Sequence, residues 1–334
     1  MTITTGPVTG EILDILDDPD AARPAVDSAS ERSTLPGPLA LYARWEKAQW
    51  SVGDVRVGRD RETWAALRPF GKQELGDALT ELEVGEVCVT RTLSALVDHA
   101  PSDDDRIYLC TQMADEGRHV RFFQEYITTA AGIPLDAALE EASAYGQLFE
   151  PQLIASTSRV RERGGDRGAW YEALVGYHLI TEGVLAAAAL RTTRVLARRY
   201  GLDALHEGLG NVARDESRHL TYGLMAARRG VDDGEHRELI ARCYLSGAEL
   251  AARVMVNPHK KAITPVMTAA LHARARQLTA QWQVGLDRAV RQLRLIGLPQ
   301  LREEVTGSWG RAQQRALAEY RERWDTDHPV VLAG

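Results

Sequence analysis

The chain has 334 residues, 44% hydrophobic and 26% charged, which allows one large globular domain or two of average size. A net charge of −7 argues against a nucleic-acid-binding surface, and three scattered cysteines (Cys88, Cys110, Cys243) form neither a CxxC pair nor a disulfide framework, which points to a reducing, cytoplasmic compartment. The opening MTITTGPVTGEILDILDDPD has no basic n-region or long apolar run, so neither a secretory signal nor an integral membrane protein is expected.

Residues 1–38, rich in Pro, Ser, Thr, Gly and Asp, read as a mobile N-terminal arm with one helical turn near Ile12–Leu16. The mixed, aromatic stretch 38–64 reads as a strap over the main body. Over 71–98, Leu75, Leu79, Leu82, Glu86, Val89, Leu93 and Leu96 recur at steps of three and four, the inward stripe of a bundle helix. A second helix is predicted over 103–131, with Ser102 as N-cap, Asp103, Asp104 and Asp105 in the first turn, and Gly132 as the stop. A shorter pattern covers 135–147. The third long helix is predicted over 168–199, ended by Gly201, and the fourth over 203–229, ended by Gly230. Three more patterns lie near 234–255, 264–296 and 307–325.

Helices of this length far exceed the usual ~11–12 residues. Four of them, with one long connection between the second and third, predict an all-α, ferritin-like four-helix bundle with additional C-terminal helices. The expected organisation is one domain over 39–334, with the core bundle at 71–230 and a helical cover at 231–330.

One phrase occurs twice: DEGRH at 115–119 and DESRH at 215–219. Each places a Glu and a His three positions apart, on one helical face. Glu116 and His119 fall on the stripe of Leu109, Met113 and Phe123; Glu216 and His219 fall on that of Leu209, Val212 and Leu220. Polar groups thus stand where apolar residues belong. Burying a lone carboxylate is costly, and a bound cation offsets that cost.

Di-metal carboxylate bundles add one Glu from each of the other two helices. Of Glu81, Glu83 and Glu86, only Glu86 lies on the first helix's stripe, and Glu182 is the sole acid in YHLITEGVLAAAAL. Glu86 precedes Glu116 by 30 residues and Glu182 precedes Glu216 by 34, so two hairpins each present a Glu and then a Glu–His pair. The predicted metal ligands are Glu86, Glu116, His119, Glu182, Glu216 and His219. The competing reading is that each ExxH is a surface ion pair, with Arg118 and Arg218 making charge-laced faces. His178 is a possible extra ligand or a partner for Glu182. Asp115 and Asp215 read as acceptors for the ligand histidines' second nitrogens, or as solvated acids. Such a carboxylate-rich, two-histidine set suits iron or manganese better than zinc, and a pair of these metals can turn dioxygen into a strong oxidant.

The sequence resembles the ribonucleotide reductase small-subunit superfamily, and within it the ligand-binding oxidases that look like that subunit. The stretches that carry the likeness are WSVGDVRVGRDRETW, GEVCVT, DEGRH, YHLITEGVLA and RDESRHLTYG, spanning about 50–230. Val89, three after Glu86, and Tyr177, five before Glu182, match a valine and a tyrosine that the family joins by an ether between the valine Cβ and the phenol oxygen. Without the resemblance, Tyr177 reads as a core tyrosine bonded to a ligand carboxylate. The resemblance further implies a Mn/Fe pair or two Fe, dioxygen as co-substrate, a long-chain fatty acid whose carboxylate reaches the metals, and a homodimer. Three features depart from the family: Val87 where a second acid often stands, Leu190 in place of a tyrosine, and the alanines at 186–189.

The leading expectation is an oxidase performing two-electron C–H oxidation, with an unidentified electron donor. The alternatives are a ribonucleotide reductase small subunit, against which WDTDHPVVLAG lacks a Tyr or Phe, and an oxygenase or desaturase of specialised metabolism. The N-oxygenases carry a further His where this chain has Val212. Metal storage fits poorly with a 334-residue chain bearing a large C-terminal cover.

Overall fold

A computed structural model of the chain describes residues 35–135 and 143–333. The expected arm therefore lies outside the described residues as far as residue 34, as does 136–142 within the pattern at 135–147. Among the described residues there is no strand. The 38–64 strap is largely helical: α1 (Pro38–Lys47) is followed by short turns at Val52–Val55, Val57–Asp60 and Arg61–Ala66.

The bundle helices follow. α2 spans Pro69–Asp98, with proline in its first turn, where no N–H is needed. α3 spans Asp103–Glu125 and continues through a π-wound turn at Tyr126–Ala130. Ser102 caps it, accepting from the Asp105 amide at 3.2 Å. α4 (Glu150–Glu162) fills the connection that the sequence reading left without a helix. α5 runs unbroken over Arg167–Tyr200. It starts at Asp166, whose side chain accepts from the Ala169 amide at 3.2 Å. It ends at Gly201 (φ 69°), where Leu202 N–H reaches Ala197 O at 2.9 Å and Gly201 N–H reaches Arg198 O at 3.2 Å, a Schellman closure. α5 is long and apolar enough to cross a membrane, but 78% of that window is buried inside the molecule, as befits a core helix.

α6 spans Asp203–Asp232 and passes through Gly230 rather than ending there. That glycine instead admits the Tyr171 ring, since a Cβ there would lie 2.6 Å from it. The cover consists of α7 (Arg237–Val256), α8 (Thr268–Leu295) and α9 (Arg302–Trp324); α9 begins five residues before the predicted 307.

The apolar residues divide into two main clusters. One takes Leu93 and Leu96 of α2, Tyr108 of α3, Leu174 and Leu179 of α5, Leu224 of α6, and Tyr244, Leu293 and Trp309 of the cover. The other takes Leu75 and Leu79 of α2, Phe122 and Phe123 of α3, Leu196 of α5, and Leu205 and Leu209 of α6. The order of these residues shows α2 antiparallel to α3, α5 antiparallel to α6, and α3 parallel to α5. A parallel step needs a connection that travels back along the bundle, and α4 supplies it while packing on α2 and α5. Glu86, Glu116, His119, Glu182, Glu216 and His219 occupy the level between the two clusters, all buried.

Candidate metal centre

Each bundle helix contributes to that level what its stripe predicted. Two groups of ligand atoms form, each within 4.8 Å of one another: Glu86, Glu116, His119 and Glu216, and Glu116, Glu182 and His219. Glu116 belongs to both, with Oε2 3.5 Å from His119 Nδ1 and Oε1 3.3 Å from His219 Nδ1. Glu216 also spans them, Oε1 lying 3.3 Å from His119 Nδ1 and Oε2 3.7 Å from His219 Nδ1. Glu86 stands at one end, 3.3 Å from His119 Nδ1, and Glu182 at the other, 3.7 Å from His219 Nδ1. The arrangement is a pseudo-two-fold pair of positions with two spanning and two terminal carboxylates.

These residues fit a pair of divalent cations. Glu116 Oε2, Glu182 Oε2, Glu216 Oε2 and His219 Nδ1 are buried without any hydrogen-bond partner. Orphaned atoms of this kind converging on one point demand a counter-charge. Four carboxylates with two neutral imidazoles are balanced by two divalent ions.

Without that charge the cluster compensates by holding protons. Burial pushes Glu86 up to about 8 against the pull of His119. Burial and then Glu216 raise Glu182 well above the carboxylate range. Burial opposes charge on both histidines, but Glu86, Asp215, Glu116 and Glu216 together outweigh it for His119, and Glu116, Asp115 and Glu216 together outweigh it for His219, so both are raised well above 6.5. Burial would likewise raise Glu116, yet His219 and His119 hold it well below its ordinary value. Cations entering this site displace protons.

The remaining letters of the repeated phrase build a ring outside the ligands. His119 Nε2 lies 3.2 Å from Asp215 Oδ2, and His219 Nε2 lies 3.2 Å from Asp115 Oδ2, so each histidine is oriented by the aspartate of the other repeat. Arg118 pairs with Asp115 and reaches Asp215 at 3.3 Å; Arg218 pairs with Asp215 and reaches Asp115 at 3.1 Å. Arg218 is buried, so the repeats are not simply solvated charged faces. Burial works against the Asp215 anion, but His119, Arg218 and Trp50 hold its pKa well below the ordinary value.

Three participants escaped the sequence reading. Trp45 donates its indole N–H to Asp115 Oδ1 at 2.9 Å, and Trp50 donates to Asp215 Oδ2 at 2.7 Å, so the 38–64 stretch completes both halves of the ring. Gln112, one turn before Glu116, donates to Glu182 Oε1 at 2.8 Å. Its carbonyl accepts from His178 Nε2 at 3.0 Å. Burial pulls His178 down to about 3, so it is neutral, and it joins neither ligand group. Gln112 could have been suspected from its i−4 spacing to Glu116; nothing in the sequence singled out which strap tryptophans reach inward.

Tyr177 is fully buried and donates to Glu116 Oε1 at 3.1 Å, the arrangement of a core tyrosine on a ligand carboxylate. It sits in a π-wound stretch of α5, Val175–Ala186, that also carries Glu182. Wide turns of this kind concentrate at functional sites. Two of its carbonyls are taken by the cover helix α8: Leu179 O by Gln292 Nε2 at 3.0 Å and Gly183 O by Arg288 Nε at 2.7 Å. Val89 is buried one turn from Glu86 and lines a cavity of about 260 Å3 that also touches Glu86, Glu182 and Glu216. Leu185, Ala186 and Ala189 form part of its wall, whereas Leu190 is buried in the cluster beside it.

Residues 34–250 match the family model of the ribonucleotide reductase small chain. The fold is similar to that of several solved R2-like ligand-binding oxidases. A tyrosine-to-phenylalanine variant with an aerobically reconstituted Mn/Fe cofactor matches with 22% identity over 83% of this chain and 92% of that one, TM-score 0.62. A valine-to-alanine variant with an anaerobically reconstituted Mn/Fe cofactor matches with 22% identity over 83% and 93%, TM-score 0.62. The R2-like ligand-binding oxidase from Sulfolobus acidocaldarius matches with 21% identity over 79% and 95%, TM-score 0.59. With the family model spanning the strap, the bundle and much of α7, and with the paired carboxylate–histidine groups in place, the chain belongs to the ribonucleotide reductase small-chain family.

Proposed function

We propose that this protein is a dioxygen-activating di-metal oxidase, holding Mn and Fe or two Fe, that oxidises a C–H bond of a hydrophobic carboxylate ligand. The observation that carries this reading is the opening of the apolar cavity directly onto Glu86, Glu182 and Glu216. The metal pair would supply the oxidant. Glu86 and His119 would hold one ion, Glu182 and His219 the other, and Glu116 and Glu216 would span both. Asp115 and Asp215 fix the two imidazole orientations, and the packed clusters above and below exclude water. A chain acid of the long-chain fatty acid type would place its carboxylate at the metals and its chain along Val89, Leu185 and Ala186.

Tyr177 and Val89 would be the internal target of the same oxidation. An ether between Val89 Cβ and the Tyr177 oxygen breaks one C–H and one O–H bond and delivers two electrons and two protons to dioxygen. The hydrogen bond to Glu116 supports this role by keeping the phenol at the cluster and giving its proton an acceptor.

The test is reconstitution of metal-free protein with manganese(II) and iron(II) in air, followed by intact and peptide mass spectrometry. A two-hydrogen loss joining the Val89 and Tyr177 peptides is expected. Its absence together with a persistent tyrosyl radical signal would favour a ribonucleotide reductase small subunit, the second reading that family membership supports. Failure to retain any transition metal would overturn both. The reading also carries a homodimer, tested by sedimentation equilibrium. The three unpaired cysteines support a reducing, cytoplasmic setting.

A further inference from the structure

The cavity beside the cluster is not uniformly apolar. It follows one face of α2 from Val89 and Glu86 back to Glu74, and one face of α5 from Glu182 to Leu196. At the helical rise, Glu86 to Glu74 corresponds to about 18 Å. The inner part is walled by Leu82, Val89, Leu185, Ala186 and Ala189. Beyond Ala189 the wall becomes mixed, with Thr192, Thr193, Asp77, Glu74 and, from α8, Gln277 and Gln281 set among Ala78, Leu196 and Leu278.

Two ion pairs bridge α2 to the cover at this far end: Arg274 to Glu74 at 2.5 Å and Lys260 to Asp77 at 2.9 Å. Both bases line the cavity. Arg274 Nε is buried and has no hydrogen-bond partner, while Glu74 occupies only the guanidinium's Nη1. A methyl-ended tail pressed against this wall would desolvate the charges and offer them nothing. An oxygen at the chain's far end would accept from Arg274.

We infer that the ligand is a medium-length chain acid with a second oxygen function at its remote end, read by Arg274. This rests on the reading above in one respect, that the other end of the chain lies at the metals. A site built to bond an oxygen discriminates strongly against the analogue lacking it. The sources of that oxygen, an ω-hydroxyl or an ω-carboxylate, share this chemistry and are separated by the probes.

The experiment is isothermal titration of metal-loaded protein, its metal content fixed by elemental analysis, with ω-hydroxydodecanoic, dodecanedioic, dodecanoic and hexadecanoic acids. At least one ω-oxygenated acid should bind about tenfold tighter than dodecanoic acid, a difference of about 1.4 kcal/mol. Arg274→Leu should erase that preference, with dodecanoic acid bound at least as tightly as before and metal content still at two ions per chain. Because Arg274→Leu strands the buried Glu74, the double variant Glu74→Gln, Arg274→Gln serves as the second test and should also lose the preference. Equal or tighter binding of the methyl-ended acids, or a preference that survives both variants, overturns the inference. Two metals per chain without the preference leaves the oxidase reading standing and removes this one. Protein that takes up no metal overturns both, because the inference places the other end of the chain at the metals.

Discussion

Replacing Gln292 with leucine would remove one amide from the cover helix and leave all six proposed metal ligands in place. Gln292 is buried, donates to Leu179 O at 3.0 Å and accepts from Tyr244 OH at 3.3 Å. Tyr244 keeps its stronger bond to Ala289 O at 2.7 Å, so the variant chiefly removes the side-chain bond to the Leu179 carbonyl, which keeps its place in the π-helical backbone ladder. Leucine is of similar size, and the packing loss is small. Losing one such buried hydrogen bond costs about 0.5–1.5 kcal/mol. For a large domain each kcal/mol lowers Tm by about 2–4 °C, so the metal-free variant should melt several degrees lower.

Leu179 is three residues before Glu182 within the π-wound stretch. Relaxing that stretch to α winding shifts its register by one residue, about 100° around the helix. Glu182 would then turn away from His219, whereas Glu86 and His119 on other helices would stay. The assay pairs a thermal scan of the metal-free protein with manganese titration followed by elemental analysis. The expected result is weakened uptake at one of two positions. An unchanged Tm together with two metals bound at unchanged affinity would refute the idea that α8 holds the π winding in place.

Glu182→Ala should lower bound metal from two ions towards one per chain, read by elemental analysis; retained stoichiometry would mean that Glu182 is not a ligand. Asp215→Asn removes the charge that orients His119 at 3.2 Å and should weaken metal binding about 10–100-fold, with the fold intact by circular dichroism. An acid-stability prediction concerns His328, which burial and then Arg274 pull down to about 4. Its folded pKa lies below the unfolded value of ~6.5, so the unfolded chain binds more protons between the two. Stability from this group is complete above pH ~6.5 and is lost as pH falls towards about 4, by at most about 3 kcal/mol. Denaturant melts of His328→Asn, which can still accept from the Val330 amide as His328 does at 3.3 Å, should show a shallower fall across that window. An identical pH profile would exclude His328 as its source.

The sequence was most informative where structure is local. A polar residue recurring in an apolar stripe is visible because helix geometry fixes which positions share a face. That is why Glu86 could be chosen over Glu81 and Glu83. The structure places Glu81 at the N-terminus of the short helix Ala144–Leu148 instead, its carboxylate accepting from Ser143 Oγ at 2.7 Å and the Ala144 amide at 2.9 Å. Glu83 accepts from Gln124 at 3.2 Å. The same locality made the helix caps at Ser102 and Gly201 readable. Gly230 misled because a glycine required for close approach to Tyr171 looks, in sequence, like a glycine required for a turn. The crossover helix α4 was missed because its mixed stripe, Leu153, Ser156, Thr157 and Val160, is weak in apolar residues.

By itself, then, the sequence determined the four long bundle helices, their pairing into two similar hairpins, and the six residues that meet between them, because helical periodicity and repeated spacing are properties of the chain read in order. Only the tertiary structure decided that Glu116 and Glu216 span both positions, that each histidine is oriented by the other repeat's aspartate, and that Trp45 and Trp50 close the ring. It alone showed α8 holding the π winding around Glu182, and a cavity turning from apolar to charged along its length. Those features are distances between residues up to some 200 positions apart, as in the Arg274–Glu74 pair, and they are set by how the helices pack rather than by the order of residues along any one of them.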